Sequence, residues 1–243
     1  MSQITDFYMS WLGPPAGFGV LSSRSPNPNP EPIIFPDPIA RYDFNKYTAF
    51  DSTIANEIVG GSPATINEPY SNTFNTTDAS NNYLEIYAPN IYPSPTGGIT
   101  TPVLSNVAAI VCWVLYSPAG GYGQYFLDAR TGASNAFWIT SSGGDTIGEF
   151  FANGKVYFNT IGQTIDQVNG TPSLQTALSG WTQVVILPET TITDDISLFM
   201  RFSGEQGMPV GVGEIAFYDA VPSDQDIKDI FNDNCRRYGL SPV

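Results

Sequence analysis

The stretch Val107-Ala-Ala-Ile-Val-Cys-Trp-Val-Leu-Tyr116 constrains the fold more than any other part of the chain. Successive side chains of a strand point to opposite faces, and here both alternating sets are apolar. Such a strand has to be covered on both sides, which places it at the centre of a sheet with a layer above and below. It is also half the length of a membrane span.

From about residue 40 the chain runs in short segments rich in β-branched and aromatic residues, separated by Gly/Asn/Pro/Ser clusters. Strands are expected near 40–44, 83–87, 107–116, 122–128, 136–140, 147–152, 155–158, 181–187, 196–202 and 213–219. In Ile196-Ser-Leu-Phe-Met-Arg-Phe202 the residues Ile196, Leu198, Met200 and Phe202 share one apolar face, with Ser197 and Arg201 opposite. Asn153-Gly154, between two aromatic stretches, predicts a type I′ hairpin. One helix is signalled near the C-terminus. Ser223 is its N-cap, Asp226 completes a capping box and Asp224 lies in the first turn. Ile227, Ile230 and Phe231 form its apolar stripe, Arg236 and Arg237 sit at its negative end, and Gly239 stops it.

The first 39 residues read differently. Pro14, Pro15, Pro26, Pro28, Pro30, Pro32, Pro36 and Pro38 favour extended polyproline II, and the segment predicts an arm. Ile4, Phe7, Tyr8, Trp11 and Leu12 fall at helical spacing in a piece too short to be stable alone, so it needs a surface to dock on. Expected contacts of the arm with a partner are Phe7, Tyr8, Trp11, Leu12, Pro28, Pro30, Ile33 and Phe35. The expected division is therefore an arm over 1–39 and one sandwich domain over 40–243.

Only 13% of the 243 residues are charged and the net charge is −14. A neutral-polar, acidic surface repels phosphate backbones and anionic headgroups, which argues against nucleic-acid and membrane partners. The first residues lack the basic and apolar regions of a signal peptide, so synthesis in a cytoplasm without export is expected. Cys112 lies in the apolar run and Cys235 near the helix end, and both read as buried, reduced thiols.

Four blocks resemble the concanavalin A-like jelly roll, in its laminin G-like branch. Ser80-Asn-Asn-Tyr-Leu-Glu-Ile86 is similar to that family's D-x-x-Y-L-x-I strand, and Ala109-Ile-Val-Cys-Trp-Val114 to its F-T-I-x-x-W-V strand. Gly180-Trp-Thr-Gln-Val-Val185 is similar to its W-x-x-V strand, and Gly213 to Phe231 to its closing strand and helix. The resemblance implies an all-β, two-sheet antiparallel jelly-roll sandwich with a short C-terminal helix. On that plan Trp113 and Trp181 are expected to fill the space between the sheets. Ile215, Phe217 and the helix stripe are expected to close one end.

The chain contains no histidine, which removes Ser-His-Asp, Cys-His and His-metal chemistry. Glycosidases resembling this fold carry an E-x-D-x-x-E strand, and no segment matches it. Asp194 and Asp195 are adjacent and would face opposite sides of a strand, while Glu149, Glu205 and Glu214 are isolated and read as solvated carboxylates. No enzyme activity is expected. No cofactor is expected either, although Asp128 with Asp145, and Asp194 with Asp195, offer oxygens to calcium. Tyr122 and Tyr125 are candidate glycan contacts, and Ile91–Pro102 reads as a long irregular loop. The leading expectation is a non-enzymatic virion structural protein, a minor capsid, cement or decoration subunit, touching other capsid or tail proteins through sandwich and arm. The resemblance extends to components of large DNA viruses and tailed phages. The alternative is a carbohydrate-binding module of a tail fibre or adhesin.

Overall fold

The computed structural model describes residues 35–47, 52–67, 73–75, 82–86, 97–116, 124–129, 136–140, 146–147, 154–159, 161–164, 180–201 and 207–243, all within the unit Ile34–Val243. In chain order the strands are β1 (Ala40–Asp43), β2 (Thr53–Ile54), β3 (Ala64–Asn67), β4 (Thr73–Asn75), β5 (Tyr83–Ile86), β6 (Gly98–Thr100), β7 (Leu104–Val107) and β8 (Ala109–Tyr116). They continue with β9 (Gln124–Asp128), β10 (Ala136–Thr140), β11 (Thr146–Ile147), β12 (Lys155–Phe158), β13 (Ile161–Thr164), β14 (Gly180–Leu187), β15 (Ile192–Asp194), β16 (Ser197–Leu198) and β17 (Val210–Tyr218). Helix α1 (Asp224–Asn234) follows and runs into a 3₁₀ turn, Cys235–Tyr238.

The larger sheet has the order β13-β12-β14-β8-β17-β5-β4, with β1 also paired to β17. The smaller has the order β11-β10-β9-β16-β6-β3-β2, and β15 with β7 forms a separate ladder. Every ladder among the described residues is antiparallel. The fold is an all-β, two-sheet sandwich of the jelly-roll class with one short C-terminal helix, as the sequence predicts.

The apolar run lies at the heart of it. β8 pairs with β14 on one side and β17 on the other. Its Ile110, Cys112 and Val114 join Val184, Ile186, Ile215 and Phe217 in the core between the sheets. From the smaller sheet they meet Ile66, Ile99, Leu198 and Leu127, which lie in register across four strands. The other face of β8 carries Ala109, Val111 and Trp113, and α1 covers it. Each of the two apolar sets thus has its own covering layer.

This arrangement corrects the expectation for the tryptophans. Positions 113 and 181 share the parity of Val111 and Val185, which face outward, and not that of Cys112 and Val184. Trp113 is therefore stacked under the C-terminal segment, with ring centroids 5.6 Å from Phe231 and 4.4 Å from Tyr238. Trp181 packs at 4.7 Å on Tyr238 and 5.4 Å on Tyr83. The helix likewise covers a face of the larger sheet and does not close an end, while Ile215 and Phe217 point inward.

Helix α1 begins where predicted. Ser223 accepts from the Asp226 backbone while the Asp226 carboxylate accepts from the Ser223 backbone, a complete capping box. Tyr157 donates to Asp224 Oδ1 at 3.2 Å and ties the first turn to β12. Ile227 and Phe231 are buried and Ile230 partly so. Gly239 stops the 3₁₀ turn with φ 72°, left-handed backbone that glycine adopts freely. Cys112 and Cys235 are free and buried, and burial pushes the Cys112 thiol well up.

The expected Asn153-Gly154 hairpin falls largely outside the described residues. Three other expectations are corrected. The predicted strand at 107–116 is two strands, since Val107 ends β7 and Ala108 separates it from β8. Ile196–Phe202 is not one alternating strand. β16 stops at Leu198, Phe199 takes φ 61°, and its N–H donates to Phe126 O at 2.9 Å. That break sends Leu198 and Phe199 both into the core and leaves Met200 beside Asn67. Finally, Ile91–Pro102 is no wholly irregular loop, because β6 within it lies between β16 and β3.

Candidate functional site

The two sheets present very different outer faces. On the larger sheet that face is mainly apolar and aromatic along β8, β14 and β17, with Gln183 and Glu214 buried among these side chains, and α1 with its 3₁₀ turn covers it. On the smaller sheet the inward row Ile66, Ile99, Leu198 and Leu127 has an outward counterpart one residue away, made of polar side chains. Thr53 pairs with Thr65, Thr65 with Thr100, Thr100 with Ser197, and Ser197 with Asp128. Neighbouring strands are ~4.8 Å apart, so the row places one hydroxyl or carboxylate at each such step. Thr53 and Thr65 are exposed, Thr100 is half-buried, and Ser197 and Asp128 are buried.

Three further side chains complete this face. Asn67 Nδ2 donates to Thr100 Oγ1 at 2.8 Å. A bulge where β9 pairs with β10 lets Phe126 and Leu127 both enter the core. It thereby turns Tyr125 to the same side as Asp128. The Arg201 guanidinium carbon lies 6.0 Å from the centre of the half-buried Tyr125 ring. Hydroxyls, an amide, a guanidinium and an aromatic ring on one partly exposed face suit hydrogen bonding to a hydroxylated ligand, with the ring as an apolar platform.

Tyr125 is the one predicted glycan contact placed here; Tyr122 lies outside the described residues. Among the predicted arm contacts, Phe7, Tyr8, Trp11, Leu12, Pro28, Pro30 and Ile33 also lie outside them. Phe35 is described, and its ring packs 4.8 Å from that of Tyr218 in its own sandwich. Asn67 and Arg201 escaped the sequence reading. Arg201 was assigned to a strand that ends three residues before it, and Asn67 lies in a four-residue strand with no aromatic signal.

The acidic residues separate into two groups. Glu214 is not solvated. It is buried and directly opposite the equally buried Asp43 in the β1–β17 ladder. Arg41 Nη2 reaches Glu214 Oε2 at 2.9 Å, and Arg237 Nη1 lies 3.4 Å from both Glu214 Oε2 and Asp43 Oδ2. Lys46 is 3.8 Å from Asp43 and also pairs with Glu57. Burial works against the Arg41 charge, but the Glu214 hydrogen bond and the fields of Glu214 and Asp43 outweigh it and raise its pKa. Two carboxylates tied to three cations form a structural clamp. Glu149, Glu205 and Asp145 lie outside the described residues.

Asp194 and Asp195 do not face opposite sides as expected. Asp195 falls just past β15, and its N–H donates to Asp194 Oδ1 at 2.9 Å. The nearness of the Asp194 carboxyl, with burial and the Asp194 charge, raises the Asp195 pKa. Among the described residues no three acidic or thiol side chains gather as metal ligands would.

Comparison with protein-family models gives no match, and comparison with curated proteins gives none. Among solved structures the chain is similar to a mutant Trypanosoma rangeli sialidase displaying trans-sialidase activity, with a TM-score of 0.53 and 10% identity. It is also similar to domain 4 of AbnA, a GH43 extracellular arabinanase from Geobacillus stearothermophilus in complex with arabinotriose, with a TM-score of 0.48 and 13% identity over 80% of this chain and 98% of that one. A third likeness is the binding domain of botulinum neurotoxin DC in complex with rat synaptotagmin II, at a TM-score of 0.41 and 11% identity over 81% and 51% of the two chains. The sialidase match covers 82% of this chain but only 33% of the sialidase, so the chain spans a third of that enzyme and the likeness is one of fold.

Proposed function

We propose that this chain is a binding domain and not an enzyme, and that it recognises a glycan on the outer face of the smaller sheet. One observation carries this: α1 covers the middle strands of one sheet's outer face, while the other sheet presents the exposed Thr53 and Thr65 and the half-buried Thr100 in register, with Asn67, Tyr125 and Arg201 on the same face. Uncharged sugars suit a surface of this kind on a chain with net charge −14. Screening the purified chain on a glycan array is expected to find a ligand. Tyr125→Ala and Arg201→Gln, each with an unchanged circular dichroism spectrum, are expected to weaken its binding by about tenfold or more. A silent array, or variants that bind as well as the parent, would sink the proposal.

A second reading has its own support. Phe35, the first described residue, packs its ring on Tyr218, and the chain then forms β1 along β17. The proline-rich segment before it therefore starts from an anchored point, as suits a virion structural subunit, a minor capsid, cement or decoration protein reaching a capsid or tail neighbour. Deleting residues 1–34 is expected to leave the unfolding transition cooperative, since no described strand is removed, and to abolish incorporation into particles. Normal incorporation of the truncated chain would exclude this role for the arm.

A further inference from the structure

Beneath the C-terminal helix, two polar side chains stand without partners. Gln183 is fully buried, and neither its amide oxygen nor its amide nitrogen makes a hydrogen bond. Trp113 is 1% exposed and its indole N–H is likewise unpaired. The two residues are directly opposite each other in the β14–β8 ladder, on the same outward face. Side chains so placed start ~5 Å apart, within reach of one small molecule.

The Trp113 ring and the Gln183 backbone are both held in place. Phe231 and Tyr238 stack on the Trp113 ring. The backbone of Gln183 is held at both ends by Asn159, whose Oδ1 accepts from Gln183 N at 2.8 Å and whose N–H donates to Gln183 O at 2.9 Å. Buried amides and indoles are nearly always satisfied, because their desolvation is otherwise uncompensated. The groups on offer are one carbonyl acceptor and N–H donors from two side chains. A ligand that both accepts and donates can join the two side chains, and buried sites of this polarity hold water.

We infer that Gln183 and Trp113 form a closed binding site for an ordered water under α1, which accepts from Trp113 Nε1–H and donates to Gln183 Oε1. The water makes this patch of the helix seat a polar bridge within an apolar contact.

The test uses the whole chain. A high-resolution crystal structure is expected to show a solvent peak within ~2.7–3.2 Å of both atoms. The Trp113 indole proton is expected to give a nuclear Overhauser effect to long-lived water in solution. In Gln183→Leu that effect is expected to vanish, with Gln183→Met as the second variant should the first fail to fold. A wild-type structure without the peak, or an effect that survives both substitutions, overturns the inference.

Discussion

Trp113→Ala is expected to lower the unfolding free energy by about 3–5 kcal/mol, the range for removing a fully buried large aromatic. Trp113 is the largest fully buried side chain among the described residues, and its cluster comprises Phe231, Cys235 and Tyr238 with Trp181 and Leu240 at the edge. The loss therefore falls mainly on the docking of α1 and the 3₁₀ turn. A double-mutant cycle with Tyr238→Ala separates this from a loss in the sandwich interior. Rings stacked at 4.4 Å and 13° should couple by about 0.5–1.5 kcal/mol beyond area burial. Guanidinium unfolding of the four chains measures the coupling, and additive losses would contradict the placement of Trp113 under the C-terminal segment. Gly213 belongs to the same construction, because a Cβ there would lie 2.6 Å from the Tyr238 ring and lift it off the tryptophan.

What the sequence made legible follows from where its signals are local. The capping box of α1 needs only Ser223 and Asp226 three residues apart, and it is present as read. β8 was visible because a strand covered on both faces cannot alternate. The side of the sheet on which Trp113 lies was not visible. An unbroken apolar run hides its own phase, and only the neighbours Cys112 and Val111, sent to different layers, reveal it. Strands as short as β2 and β16, two residues each, carry too few positions for a period of two. Of the smaller sheet β9 and β10 were legible, near 122–128 and 136–140, whereas β2, β3 and β6, which carry most of the candidate face, were not. Tyr125 was singled out as a residue, but the bulge that turns it outward depends on its pairing with β10. The pairing of Asp43 with Glu214 joins positions 171 residues apart, which no local pattern can announce.

That pairing sets the second large effect. Like charges directly opposite in a ladder repel, and here both carboxylates are almost out of water, with side chains 4% and 8% exposed. Among the described residues, Arg237 is the one cation that touches both. Arg237→Met keeps most of the stem and removes the charge, so its cost isolates the electrostatic part. Breaking a fully buried pair costs about 3–5 kcal/mol. The Arg237 side chain is 38% exposed, and Arg41 and Lys46 still serve the acids, so the expected loss is smaller, about 2 kcal/mol. Adding Asp43→Asn should recover much of that loss, because Glu214 then keeps Arg41 at 2.9 Å with no like charge opposite. The clamp also joins β1 to the C-terminal turn, since Asn45 Nδ2 donates to Asp43 Oδ1 and to the Tyr238 hydroxyl. Arg237→Met should therefore speed hydrogen exchange of the β1 amides along with those of the turn. If only the turn loosens, Arg237 holds its own segment and leaves the carboxylate pair to the other two cations.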